Sequence, residues 1–455
     1  PALSTASVQI GRTMQFVTAL AIALVVFASS SDAFLSTPKL HTSSGLPALS
    51  AFRSKESACQ AARSTQMTIA MPPPNNMQNP LPPLEGALPD CPPTKWNADN
   101  MDVAAEQERY RSEGIPDSIL EVVADDAANA KGLQYFEENR ERFLSHLKAN
   151  GAVLFKNFDM SKDPEGFRRV WEVLGLLPCL DPIHSSGLRS FLSAKDGVYE
   201  EVNKQSLAKH YIGLHNEATF TKTAAYGAFV CFSPASKSGG EFFIADGAKI
   251  FRDLDTKILQ DLYDRKVRIS VSNLDLDFLN ALGPLKEPLA GFFKSVVGTL
   301  IAPKFEMDLD MIYGADGKPM RLQAIEHPQS PVNRHPDTGR PVWFCNVHNH
   351  ARYLRDRRPC SVPEVGMTDV YFGDLSHLPA DYLDHINEVS NKHIETMAMK
   401  EGDVLLVDNY RVLHGRDTFE GDRLHAVSWF RKGDEQDTAA KDVGVINSAI
   451  NKLIQ

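Results

Sequence analysis

Hydrophobic and polar positions are arranged differently in the first hundred residues and in the rest of the chain. Residues 16–28 (FVTALAIALVVFA) form one apolar run behind Arg12 and Met14, the latter a candidate start, and the run closes on Ala28-Ser-Ser-Ser. A bilayer span needs about 20 apolar residues, so this shorter run reads as the core of a signal peptide. Residues 33–84 carry Lys39, Arg53, Lys55 and Arg63 against one acid, Glu56, among many Ser, Ala and Thr, the composition of a transit peptide. Such two-part leaders direct proteins to plastids enclosed by the endomembrane system; the secretory pathway is the alternative destination. Residues 72–93 (PPPNNMQNPLPPLEGALPDCPP) have no periodicity and predict an extended linker. The expected organisation is a leader over 1–32, a transit-like and proline-rich segment over 33–95, and one folded domain over 96–455. No membrane span is expected in the mature protein.

Past Trp96 the pattern becomes periodic. Helices are predicted over 104–113, 117–130, 135–149 and 163–176, the third from Phe136, Phe143, Leu144 and Leu147 at helical spacing with Gly151 as its stop. Ala152-Val-Leu-Phe reads as a buried strand. From about residue 211 short strands lie between Gly, Asp and Pro, as at 225–232, 342–346, 404–408 and 423–430, with helical inserts at 274–299 and 380–392. Short strands over more than 200 residues predict a mainly β fold with helical inserts, an antiparallel barrel or jelly roll. A doubly wound α/β fold is disfavoured because no Gly-rich phosphate loop follows a strand.

Composition narrows the function classes. Hydrophobic residues make up 43% of 455 and aromatics 9%, enough for a sizeable core. With 48 Lys plus Arg against 58 Asp plus Glu, a net charge of −10 and no long basic run, nucleic acid is excluded as the main partner. The densest basic cluster, Arg352, Arg355, Arg357 and Arg358 around Asp356, is either a solvated loop or a clamp for an anionic substrate. Six scattered cysteines without a CxxC pair exclude a zinc ribbon or a disulfide-dense scaffold and leave a single bridge open.

Candidate chemistry starts at His215-Asn216-Glu217. In a strand, residues i and i+2 share a face, so His215 and Glu217 can reach one ion. Two imidazoles and one carboxylate on one face of an octahedron are the ligand set of non-haem Fe(II) oxygenases. The spacing alone does not decide, since His335/Asp337 and His393/Glu395 repeat it; the former looks like a turn and the latter a surface pair. Its company does. Residues 400–416 (KEGDVLLVDNYRVLHGR) run a strand into His414, with Arg423 nine residues later. This run resembles the distal-histidine segment of the TauD/TfdA family of Fe(II)/2-oxoglutarate-dependent dioxygenases. Residues 151–158, 233–241 with Ala245-Asp246, and 335–344 (HPDTGRPVWF) resemble further family segments in family order, closest to the branch that modifies amino acids and specialised metabolites.

The resemblance implies a double-stranded β-helix (jelly-roll) core, with His215, Glu217 and His414 as iron ligands and Arg423 pairing with the distal carboxylate of 2-oxoglutarate, a bidentate fork for a planar anion. Read singly, His414 is a core histidine, Glu217 a surface acid and Arg423 a partner of Asp422 or Glu420, with Arg416 a rival cation. One position departs: where the family usually has a cosubstrate-holding Thr after Gly239-Gly240-Glu241, this chain has Phe242, leaving Asn346 or Asn409 as substitute donors. Trp343, Phe344 and Asn346 line the pocket or belong to strand core. The implied cofactors are Fe(II), 2-oxoglutarate and O2, and the implied partner is a small, amino-acid-like or carboxylate-bearing substrate. Hydrogen abstraction then leads to hydroxylation, desaturation or ring closure; the ligating carboxylate leaves no ligand position for a halide. The leader and the family branch together single out a cyclase resembling the kainoid synthases, closing a pyrrolidine ring on an N-prenylated glutamate, within a broader expectation of an amino-acid or betaine hydroxylase. Two other classes share the pattern: a non-catalytic jelly-roll binder and a protein side-chain hydroxylase.

Overall fold

In the computed structural model the described residues are 81–433 and 435, apart from 85, 185–188, 202, 204–206, 277–283, 285, 301–306, 315–316, 360–367 and 434. The signal-like run, nearly all of the transit-like segment, Cys59 and Cys360 lie outside them. Helix α1 (Val103–Glu113) and strand β1 (Ile119–Val123) are followed by α2 (Asp126–Lys131), α3 (Leu133–Asn150), β2 (Ala152–Lys156) and α4 (Pro164–Val173). Next come β3 (Leu177–Cys179), β4 (Phe191–Ser193), β5 (Val198–Glu200), β6 (Ile212–His215), β7 (Tyr226–Ser233), β8 (Ser238–Gly239) and β9 (Phe242–Asp246). Helices α5 (Gly247–Asp253) and α6 (Thr256–Arg265) lead to β10 (Val267–Asp275), α7 (Lys286–Leu300), β11 (Met307–Tyr313) and β12 (Pro319–Glu326). The remainder is β13 (Val332–Arg334), β14 (Pro341–Trp343), α8 (Val347–His350), α9 (Arg352–Arg355), β15 (Val370–Phe372), α10 (Ala380–Lys392), β16 (Ile394–Met397), β17 (Val404–Asp408), β18 (Val412–Arg416), β19 (Phe419–Glu420) and β20 (Leu424–Arg431).

Two sheets make the core. The larger has the order β1-β2-β17-β7-β20-β5-β4, with β3 also on β20; the smaller has the order β16-β9-β18-β6. Their facing sides share one apolar layer: Leu154, Phe229, Leu405, Val427 and Trp429 from the larger meet Phe242, Ile244 and Val412 from the smaller. Period-two alternation sends Val153, Phe155, Ala228 and Val230 outward, against Phe136, Phe143, Phe167 and Trp171 of α3 and α4. Phe243, Ala245 and Leu413 face away from the shared layer in the same manner, against Phe251, Leu259 and Ile386 of α5, α6 and α10. Both faces of each central strand are covered, which is why these strands read as unbroken apolar runs. This is the jelly roll expected from the sequence. A separate sheet, β11-β12-β10-β15, lies beside it.

Three expectations need correction. The helix predicted over 117–130 is strand β1 followed by α2; Ile119, Val122 and Val123 favour extended backbone, and the free edge of β2 takes them in parallel pairing. The first part of the insert predicted over 274–299 continues β10, and its helix starts at Lys286. The fold also begins before Trp96: Leu84, Leu88 and Cys91 are buried, Lys222 bonds Asp90, and Thr223 donates its N–H to Pro92. The proline-rich end is therefore a strap on the core, since its few apolar side chains find apolar grooves.

Gly227 faces Trp429 across β7 and β20, and a Cβ there would stand 2.5 Å from the indole. Gly227→Ala is expected to cost about 1–3 kcal/mol from overpacking, read by urea unfolding; an unchanged midpoint would show that the indole has room to move.

Candidate metal centre

The site begins with strand register. β6 and β18 pair antiparallel with His215 directly opposite His414, so both imidazoles rise on one side, ring centroids 4.3 Å apart. β6 ends at His215, and Glu217 follows just beyond it. One ligand atom from each of His215, Glu217 and His414 lies within 4.8 Å of the others, and all three residues are buried. Of the His-x-acid pairs, this is the one that meets a third ligand among the described residues.

Each donor is prepared for a cation. The Nδ1–H of His215 donates to the Gly213 carbonyl at 2.8 Å, which directs Nε2 to the site. His414 is buried with neither ring nitrogen hydrogen-bonded, and burial, then the nearby His215 and Arg189, hold it well below the ordinary imidazole range. Its ring is therefore neutral at physiological pH. Its ring packs among Phe229, at 4.7 Å, and Phe242, nearly parallel at 5.9 Å. These donors fit a ferrous ion, which accepts neutral imidazole and carboxylate.

Residues 216 and 217 are held by side-chain amides instead of a ladder. Asn409 Oδ1 accepts the Glu217 N–H at 3.0 Å, and its Nδ2 donates to the carbonyls of Glu217 and Ala224, both at 2.9 Å. Asn346 does the same for Asn216, accepting its N–H at 2.9 Å and donating to its carbonyl at 3.1 Å. Asn216 in turn donates to the Asn409 carbonyl at 2.8 Å. Neither asparagine therefore replaces the cosubstrate-holding Thr, as the sequence suggested; both fix the turn that presents Glu217. Phe242 stands in apolar packing and offers no hydrogen bond.

A further residue had no sequence signal. Arg189 reaches Glu217 at 2.8 Å and Asp181 at 3.4 Å, and Asp181 accepts from Trp429 Nε1 at 2.9 Å. Burial pushes Asp181 up from the usual carboxylate range, against the pull of Arg189. The guanidinium so placed bridges two buried carboxylates and offsets one of their charges.

Arg423 precedes β20. One Nη donates to the Glu201 carbonyl and to Asn203 Oδ1, each at 3.2 Å, while Nε and the other Nη are buried without partners. Burial, followed by the neighbouring Arg416, lowers it to about 9. A buried guanidinium with two unused donors fits a carboxylate. Neither Asp422 nor Glu420 takes it. The rival Arg416 donates to the carbonyls of Asp417 and Leu207.

Elsewhere the bland readings hold. Arg357 bonds Asp384, Arg355 bonds Thr368, and Arg358 donates to the His348 carbonyl over the Tyr211 ring; the basic cluster is engaged by the fold itself. Trp343 and Phe344 are core. His335 caps its turn through Nδ1 and donates from Nε2 to Asp408 at 2.9 Å, and His393 bonds Asp253 at 2.8 Å.

A rolled double sheet that brings two histidines and a carboxylate within reach of one ion, and that also buries an arginine with two unpartnered donors, has the frame of a non-haem iron oxygenase. The family described as "Taurine catabolism dioxygenase TauD, TfdA family" matches residues 120–429, and the chain belongs to it. It is an Fe(II)/2-oxoglutarate-dependent dioxygenase acting on a small molecule. Among relatives, the dapdiamide synthesis protein DdaC of Enterobacter agglomerans is 24% identical over 303 residues, covering 63% of this chain and 86% of that protein. A clavaminate synthase-like protein of Arabidopsis thaliana is 24% identical over 335 residues, covering 70% and 94%. Among solved structures, PvcB of Pseudomonas aeruginosa has 13% identity and a TM-score of 0.42, covering 71% of this chain and 89% of that one. An asparagine oxygenase has 12% identity and a TM-score of 0.40, covering 68% and 93%.

Asn409→Leu should leave all three ligands in place yet weaken Mn(II) binding about 10–100-fold, measured by calorimetry. Wild-type affinity in a folded variant would show that the turn needs no amide clamp.

Proposed function

We propose that His215, Glu217 and His414 hold Fe(II), that Arg423 takes the distal carboxylate of 2-oxoglutarate, and that the substrate is a small amino-acid-like metabolite oxidised by hydrogen abstraction. The observation that carries this reading is the pairing of a buried three-ligand cluster with a buried guanidinium that has two donors unused. When bound, iron and 2-oxoglutarate supply the oxidising chemistry, consuming O2 and releasing succinate and CO2. The chain's own contribution is placement. The His215–His414 register fixes the imidazoles, the two asparagines fix Glu217, and Arg423 orients the cosubstrate through two parallel hydrogen bonds. Phe229, Phe242 and Trp429 wall His414 with apolar surface and exclude water. The relative named for dapdiamide synthesis, together with the family branch, supports an amino-acid-like substrate; hydroxylation is the simplest outcome, and pyrrolidine ring closure of an N-prenylated glutamate is the specific case the sequence singled out. Delivery to a plastid follows from the two-part leader.

Anaerobic addition of Fe(II) and 2-oxoglutarate should produce the weak visible charge-transfer band of their complex. His215→Ala and His414→Ala should abolish it, and Arg423→Ala should raise the 2-oxoglutarate concentration needed by about 10–100-fold. A normal band in either histidine variant refutes the ligand assignment. Succinate release across free amino acids, betaines and N-prenylated glutamate then identifies the substrate class. A fluorescent protein fused behind residues 1–95 should accumulate in the plastid; secretion of the fusion would assign the leader to the other pathway.

A further inference from the structure

The proline-rich strap brings one cysteine to another. Pro89 accepts the N–H of Leu180 at 2.9 Å, so residues 89–91 run beside the end of β3. Cys91 and Cys179 are both buried in the layer between the sheets, at 2% and 1% exposure. The Leu180–Pro89 bond holds strap and strand side by side, and both thiols enter that same layer. Neither is used by the iron chemistry, yet β3 adjoins the site: Cys179 faces Trp429 across β3 and β20, and Asp181, two residues on, bonds both that indole and Arg189.

We propose that Cys91 and Cys179 are a modification site, oxidised to an internal disulfide that staples the strap to β3. Of the other described cysteines, Cys231 shares the layer but bonds the Met399 carbonyl from β7, and Cys345 lies in the layer on the far side of the smaller sheet. The balance is two thiols plus one small-molecule disulfide giving one protein disulfide and two small-molecule thiols. One cysteine thiolate attacks glutathione disulfide and releases a first glutathione; the second displaces the other and closes the bond, each cysteine losing its proton to solvent. Burial, first, and the neighbouring Cys179 push the Cys91 thiol well above its ordinary value, so the reaction proceeds when the strap is lifted or before it docks. The closed loop runs from 91 to 179, long enough for a large loss of unfolded-state freedom.

The test uses the full chain, equilibrated with glutathione disulfide both as folded protein and during refolding from urea. Free thiols are then alkylated under denaturing conditions and peptides mapped by mass spectrometry. A 91–179 cross-linked peptide is expected as the main product, with a Tm about 5–10 °C above that of the dithiol form. Cys91→Ser and Cys179→Ser should each remove the cross-link and melt at the same temperature with and without glutathione disulfide. Full alkylation of both cysteines after oxidative refolding, where burial gives no protection, overturns the proposal, as does cross-linking of either to a different cysteine. A cross-link that leaves Tm unchanged overturns the staple.

Discussion

Everything in this protein's active centre depends on the backbone ladder between β6 and β18. Hydrogen bonds that carry no chemistry of their own set His215 against His414, and a slip of one residue would turn one imidazole to the opposite face of the sheet. Register is secured by burial on both sides: Phe243 and Leu413 on one face, Phe242 and Val412 on the other, all without room to exchange. The ligand geometry is thus a by-product of hydrophobic alternation, which is the cheapest way to fix two polar side chains to within a fraction of an ångström.

The third ligand is held on different terms. Glu217 lies past the end of its strand, where no neighbouring strand supplies hydrogen bonds, and two asparagine amides take over that duty. A guanidinium also shares its charge between it and a second carboxylate. Asp181, Arg189 and Glu217 form a buried chain that alternates in sign, whereas Arg423 hydrogen-bonds only to the Glu201 carbonyl and Asn203 Oδ1, with the Glu201 carboxylate acting on it through its charge.

The sequence made the fold and the meeting of His215, Glu217 and His414 legible because both rest on local, repeated signals. Continuous apolar strands such as Val404–Asp408 appear as such, and the segment ending in His414 has a recognisable order of residues. What stayed hidden was non-local. Ile119–Val123 leans towards extended backbone through its β-branched residues, but it becomes a strand only because β2 offers an edge. Asn346 and Asn409 were visible as polar residues near the site, but only the folded turn shows that their amides are spent on backbone. Arg189 has no motif, and its approach to Glu217 is created entirely by tertiary placement. The His335 segment was noticed for its resemblance to the family; its role is to join a turn to Asp408, at the end of the strand that leads to Asn409.

The distance along the chain between the two paired histidines has a consequence for biosynthesis. Roughly 200 residues separate them, so at ordinary rates of translation the second is made about 10–40 s after the first. Throughout that interval this cluster lacks one of its two imidazoles and offers a metal one imidazole and one carboxylate, too few donors to retain it there. Oxidative chemistry is thereby withheld from a half-made chain and becomes available only once the last strands have closed the roll.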